Sequence, residues 1–309
     1  MKKKTLLMLV DDRRYIRANC YQRQLAEVLE SEYDVRMISL REIKYLPWAN
    51  PKKYDRVLSV LRLRTLNDNL DVVARFLKDT RLHIYEQDIW YSYMDDSPWK
   101  GAYGRIHSRL NVASFLVTTK WWTDFAAQRG IPAQFVRMGM LPRYCEMGPA
   151  WEDRPIPLGF QGTVHPHRKA FYDALEGMGF PVDVLKSVPY EGYLENLHKM
   201  RIYIHTEEAP WRVNGQIIPR NALWIKDTEV AARGTFAIRD YEEESKAYGI
   251  SELPTIYTYR KVSDIPSMID EINHMSPKAR AERMRASVET MRKRNDWMTV
   301  VRAIEATSA

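Results

Sequence analysis

Asn214–Asp240 reads NGQIIPRNALWIKDTEVAARGTFAIRD. Pro219 stands where a first helical residue would, and helix-compatible residues run from Asn221 to Arg233. Gly234 follows as the left-handed residue that closes many helices, and Thr235–Ile238 then reads as a short strand. Lys226 and Glu229 are three residues apart and share one face of that helix. A cation beside a carboxylate suits the phosphates and ribose hydroxyls of a nucleotide; the bland alternative is a surface ion pair.

Working outward, the same alternation of strand and helix recurs on both sides. Upstream, Leu6–Val10, Tyr33–Leu40, Val57–Leu61, Arg81–Tyr85, Phe115–Thr118 and Ala133–Met138 read as strands. Helices are expected over Arg17–Glu32, Leu70–Lys78 and Lys120–Arg129. Leu141–Pro157 breaks the rhythm with four prolines and Gly148, as a linker would. Leu158–Gln161 restarts it, followed by a helix over Lys169–Met178, a strand at Val182–Leu185, a helix over Tyr190–Lys199 and the strand Arg201–His205. Thr255–Tyr257 is a last short strand, Ser263–Ile272 a helix, and the tail from Pro277 to Ile304 is helical and basic. Strands alternating with helices imply parallel, doubly wound sheets. The division expected is 1–145, a linker at 146–157, a second domain at 158–295 and a closing helix at 296–309.

The chain has 309 residues, enough for two domains of ordinary size. With 45% hydrophobic and 28% charged residues it is not a disordered chain. No apolar run approaches the roughly 18 residues that span a bilayer. Asp11 and Asp12 end the first apolar run too early for a signal peptide, so a cytoplasmic protein is expected. Two cysteines, Cys20 and Cys145, cannot build a disulfide framework or a cysteine-rich metal site. The formal charge of +7 favours polyanionic partners, nucleic acid or nucleotide phosphates.

Gly162 and Thr163 occupy the loop after the first strand of the second half, where doubly wound folds meet ligands. A glycine there lets backbone approach a phosphate, and the following helix N-terminus adds partial positive charge. His165, His167 and Arg168 crowd the same loop. The GxGxxG and GxxxxGK[ST] patterns are absent, which argues against a dehydrogenase or a P-loop NTPase. His165, His167, His205 and Glu207 lack any recognised metal spacing, so no metal is expected. Arg212 and Arg220 could counter a diphosphate, with Glu207 and Glu208 in the loop before them. In the first half, Glu86 and Asp88 follow the fourth strand, with Asp95, Asp96 and His107 beyond. Asp88 and His107 are the candidate catalytic groups that would orient or deprotonate an acceptor hydroxyl; a solvated acidic loop is the alternative.

Three segments together resemble the C-terminal domain of GT-B-fold glycosyltransferases, in particular the bacterial and phage group 1 and spore-maturation-type proteins. They are PLGFQGTVHPHRKAFYDALEGMGFPVDVL, YLENLHKMRIYIHTE and IKDTEVAARGTFAIRD. HIYEQD and ASFLVTTKWWTDFAAQRGI resemble the acceptor domain more weakly, and NDWMTVVRAI looks like the closing helix that returns to it. The resemblance implies two Rossmann-like domains and transfer of a sugar from a nucleotide-sugar, a UDP-sugar first of all, to a hydroxyl. It implies a retaining, metal-independent hexosyltransferase without a cofactor. Glu229 matches the ribose-binding glutamate, Gly162 and Thr163 the diphosphate loop, and Lys226 and Arg168 the basic positions near the phosphates. Arg220 is expected to join them. Many members carry a second glutamate eight positions before the first; here that donor-site position is Asn221. The acceptor is open: a saccharide, a small molecule, or hydroxymethylated bases of DNA as in some phage enzymes of this fold. A non-catalytic nucleotide- or DNA-binding protein on the same fold is the alternative class.

Overall fold

The computed structural model describes residues 3–12, 22–45, 50–206, 211–218, 225–241 and 244–307. The chain forms two compact units. The first comprises 1–137, 211–218 and 297–309; the second comprises 138–210 and 219–296.

The first unit is built on a six-stranded sheet of β1 (Thr5–Val10), β2 (Asp34–Ser39), β3 (Arg56–Ser59), β4 (Leu82–Glu86), β5 (Val112–Val117) and β6 (Ala133–Phe135). Its order is β2-β1-β3-β4-β5-β6, and every neighbouring pair is parallel. Leu6 to Val10 are wholly buried, and every residue of β4 is buried. A parallel sheet is covered on both faces, so its central strands read as continuous apolar runs. Among the described residues, helices at Gln22–Glu32, Leu70–Leu77 and Lys120–Ala127 lie on the expected segments. Three more, Leu40–Tyr45, Leu63–Asp68 and Ala102–Arg109, were not anticipated.

The second unit carries β7 (Ile156–Gln161), β8 (Asp183–Leu185) and β9 (Met200–His205). A hairpin of β10 (Trp211–Val213) and β11 (Gln216–Ile218) leaves this unit and joins the first. The chain then returns with β12 (Phe236–Asp240) and β13 (Ile256–Tyr259), completing a parallel sheet ordered β13-β12-β9-β7-β8. Gly234 has φ +60° and ends the helix Ile225–Ala232 as read. Thr255–Tyr257 becomes β13, shifted by one to two residues.

The expected linker at 146–157 is fastened into the second unit from its first residue. The Glu146 N–H donates to the Ala232 carbonyl at 3.0 Å, and Arg292 donates to the Cys145 carbonyl at 2.7 Å. The division between units therefore precedes it, at 137–138. The final helix, Met298–Ala306, belongs to the first unit. There Glu305 accepts hydrogen bonds from Lys4 (2.5 Å), Tyr33 (2.7 Å) and Arg56 (3.1 Å). The hairpin is absent from the expected strands; Asn214 and Gly215, both with positive φ, are the tight-turn dipeptide that marks it.

Candidate functional site

At the carboxyl end of β7 the chain turns sharply at Gly162, with φ +149°. A Cβ at that position would lie 2.6 Å from Lys226 Nζ and 3.0 Å from Phe160 Cζ. The glycine and the lysine are thus in direct contact, and the loop closes on the start of the helix Ile225–Ala232. Lys226 Nζ donates to the Gln161 carbonyl at 3.4 Å and stands 4.9 Å over the Phe160 ring. The ammonium charge of Lys226 thus lies beside the loop.

Arg168 is placed differently from the expectation. It is buried beneath the loop, where its guanidinium donates to the carbonyls of Thr163 (2.8 Å) and Thr206 (3.2 Å). It braces the loop and spreads positive charge through it, while Thr163 itself is exposed. His165 and His167 stack on each other at 5.8 Å, and among the described residues no group of three potential metal ligands forms. Arg220, Asn221, Glu207 and Glu208 lie outside the described residues.

Glu229 lies one helical turn beyond Lys226 and is 2% exposed. Its Oε1 accepts the Tyr190 hydroxyl at 2.6 Å. Burial pushes the carboxyl up to about 7, opposed by the Tyr190 and Tyr193 hydroxyls and by Lys226. A further hydrogen-bond donor would favour its ionised form. Tyr190 and Tyr193, spaced three apart on the helix Tyr190–Leu197, are neighbours of Glu229 absent from the expected site; their i, i+3 spacing was the available signal. On the same segment as Glu229, Asp227 binds Arg239 at 2.6 Å, with both side chains wholly buried. That pair ties the helix to β12.

In the first unit, Glu86 ends β4 and is 5% exposed. Its Oε1 accepts the backbone N–H groups of Gln87 (2.9 Å) and Asp88 (2.8 Å). Burial, then the Asp88 charge, raises its carboxyl to about 7. Asp88 stands at the residue before the short 3-10 turn Ile89–Ser92, without a side-chain capping bond to it, and is half-buried. His107 does not join them. It sits in the last turn of the helix Ala102–Arg109, which feeds the amino end of β5, whereas Glu86 and Asp88 are at the carboxyl end of the parallel neighbour β4. Of the two candidate catalytic groups, Asp88 lies beside Glu86, and His107 is at the opposite end of these strands. Asp95 serves the fold: its carboxylate accepts Asn214 N–H, Gly215 N–H and Lys100 Nζ. Asp96 is exposed. Arg212 is exposed on the hairpin and belongs to the first unit.

No family model matches the chain, and no curated protein matches it in sequence. Solved structures do match, over nearly the whole chain. Anabaena Alr3699/HepE, crystallised with UDP and glucose, superposes with a TM-score of 0.66 at 10% identity, covering 98% of this chain and 99% of that one. T4 phage BGT with its UDP-glucose substrate gives 0.64 at 12% identity, over 97% and 99%. An alpha-glucosyltransferase with UDP and a 13-mer DNA containing an HMU base gives 0.64 at 9% identity, over 99% and 100%. The fold is GT-B. In GT-B terms, Gly162, Lys226 and Glu229 stand at the carboxyl ends of the second sheet, the ligand-binding edge of a doubly wound α/β unit. Among the described residues, no helix is long and apolar enough to cross a membrane.

Proposed function

We propose that this protein is a glycosyltransferase that moves a sugar from a UDP-sugar to a hydroxyl acceptor. One observation carries the reading: Gly162, Lys226 and Glu229 converge at one end of the second sheet, on a fold shared end to end with structures crystallised with UDP or UDP-glucose. Glu229 accepts the ribose hydroxyls, in keeping with the group 1 likeness of its segment. The Gly162 loop receives the diphosphate, and Lys226 lies against it.

The step displaces UDP from the anomeric carbon. The acceptor oxygen forms the new bond, and the bond to the phosphate oxygen breaks with its electron pair leaving on UDP. Preorganised positive charge aimed at that oxygen is the largest usual contribution to such a step. Lys226 and the charge of Arg168 behind the loop supply it, with no metal ion invoked. In the first unit, Glu86 has the acidity of a base that works near neutral pH, and it takes the acceptor proton. Base-assisted attack from the opposite face inverts the anomeric centre, whereas the group 1 resemblance implies retention; the product anomer separates the two.

For the acceptor, the +7 charge and the DNA-bound neighbour favour a hydroxymethylated base in DNA. The test is a thermal-shift titration with UDP, UDP-glucose and other nucleotides, followed by transfer assays on hydroxymethylated and plain duplexes. Saturation at 100 times Kd stabilises the native state by about 2.7 kcal/mol. A UDP shift lost in Glu229→Ala, with label entering only modified DNA, supports the whole reading. Binding without turnover on any hydroxyl acceptor supports the non-catalytic alternative. No nucleotide shift overturns the donor site.

A further inference from the structure

A pocket of about 290 Å³ lies within the first unit between the helix Ala102–Arg109, the helix Lys120–Ala127 and the hairpin. It is separate from the Gly162–Lys226–Glu229 cluster, which is in the other unit. Tyr93, Lys100, Gly104, Phe125, Arg129 and Asn214 contribute to its wall.

Trp121, Phe125 and Arg129 are spaced four residues apart, so they follow one another along one side of the helix and its exit turn. The Trp121 and Phe125 rings stack with centroids 5.1 Å apart and planes 20° apart. The Arg129 guanidinium lies 3.4 Å over the Phe125 ring and is held there by a 2.9 Å bond to the Phe125 carbonyl. Three planar groups thus succeed one another and end at an exposed cation in the pocket wall. Nucleic-acid bases stack on aromatic rings and on guanidinium planes alike.

Charge around the pocket is unbalanced towards the positive. Lys100 and Arg129 line it, and Arg105 reaches within 3.3 Å of where a Gly101 Cβ would be. Asp95, bound to Lys100 at 2.5 Å, is the carboxylate paired with this group. The Tyr93 hydroxyl is buried with no hydrogen-bond partner among the described residues. Gly104 leaves its side of the pocket open, since a Cβ there would meet nothing within 4 Å.

We propose that this pocket binds a nucleotide unit, its base stacked on the Arg129 guanidinium and its phosphate held by the charges of Lys100 and Arg129. The unit is either a free nucleoside monophosphate or one residue of a single strand. Only the strand-borne form rests on the DNA acceptor reading.

The experiment titrates thymidine 5′-monophosphate and a short single-stranded thymidine oligonucleotide into protein already saturated with UDP, and follows heat release. Arg129→Lys keeps the charge but removes the plane, and is expected to weaken binding about tenfold. Gly104→Leu fills the pocket with a better helix former and is expected to abolish binding. UDP affinity is expected to be equal in all three proteins. Binding of the mononucleotide identifies a free nucleotide as ligand, and binding of the oligonucleotide alone identifies a strand. No saturable binding of either probe, or binding by both variants as tight as by the unaltered protein, overturns the proposal. If UDP itself fails to bind, the donor reading falls while the pocket is still judged by its own two variants.

Discussion

The carboxylate of Asp95 and the backbone N–H of Gly215 lie 2.7 Å apart across 120 residues of sequence. The same carboxylate accepts the Asn214 N–H at 3.0 Å, and the Asp95 N–H donates to the Arg212 carbonyl at 2.8 Å. One aspartate therefore pins both central residues of the hairpin turn. Lys100, then the Gly215 N–H, hold its carboxyl below the usual carboxylate range, so the pin survives mild acid. Asp95→Ala is expected to leave Trp211 packed on Trp90, at 5.0 Å, but to free the turn. Hydrogen exchange should quicken at Asn214 and Gly215 and not in β1 or β4. Unchanged protection at the turn would show that the aromatic contacts alone hold the hairpin.

Glu86 sets a pH dependence. Its carboxyl, raised to about 7 chiefly by burial, is a base only above that value. Transfer should rise with pH through a midpoint near 7, and Glu86→Gln should lower kcat by about 10² to 10⁴ while UDP affinity holds. Stability runs the other way. A carboxyl raised in the folded state costs stability as pH climbs from the unfolded value near 4.5 through about 7, so Glu86→Gln should melt higher than wild type at pH 8. A flat rate profile would remove Glu86 from the chemistry.

Glu229 depends on Tyr190 for its charge. The Tyr190 hydroxyl lowers a carboxyl that burial has raised to about 7. Tyr190→Phe removes that donor and pushes the carboxyl higher still. If the ionised form receives the ribose, UDP affinity in Tyr190→Phe should fall more at pH 6.5 than at pH 8.5. Calorimetric titration at the two values tests this, and an equal loss at both would point to packing rather than ionisation.

Gly162→Ala should separate folding from binding. The new Cβ collides with Lys226 Nζ, the far end of a flexible side chain, and takes on a strained φ. The expected cost to stability is about 1 to 3 kcal/mol, with UDP affinity reduced by a larger factor than in Thr163→Ala. Equal affinity in the two variants would place the phosphates elsewhere.

Glu305 fastens the final helix to the first sheet. Burial tends to raise its carboxyl, but hydrogen bonds from Lys4, Tyr33 and Arg56 outweigh it and hold it at about 2. A carboxyl depressed in the folded state stabilises above its unfolded pKa, and that contribution is lost as pH falls from about 4.5 towards 2. With a third of the side chain exposed, solvent screens the interaction, and Glu305→Gln should cost about 1 kcal/mol at pH 7. Urea unfolding at pH 7 and pH 3 checks it: the deficit should shrink at the lower pH.

The strands of both sheets were legible because parallel strands are buried on both faces and print as apolar runs, as Leu6–Val10 and the Phe236–Ile238 core of β12 do. The helix carrying Lys226 and Glu229 was legible from its Gly234 terminator. The helix Ala102–Arg109 was not, since its residues mix Gly104, His107 and two arginines among a few apolar ones, and its stability comes from packing Tyr103 and Ile106 into the core. The hairpin escaped because its strands are only three residues long, too short for alternation to register.

Sequence by itself determined the two α/β halves, the glycine loop after β7 and the shared face of Lys226 and Glu229, because each is a matter of local spacing along one element. Tertiary structure decided the rest. It separated His107 from Glu86 and Asp88, since only the sheet shows that parallel β4 and β5 put those residues at opposite ends. It turned Arg168 inward to brace carbonyls, supplied Tyr190 to Glu229, and carried the hairpin back to the first unit to meet Asp95. These are contacts between residues far apart in the chain, and their partners are fixed by packing and burial that no local pattern encodes.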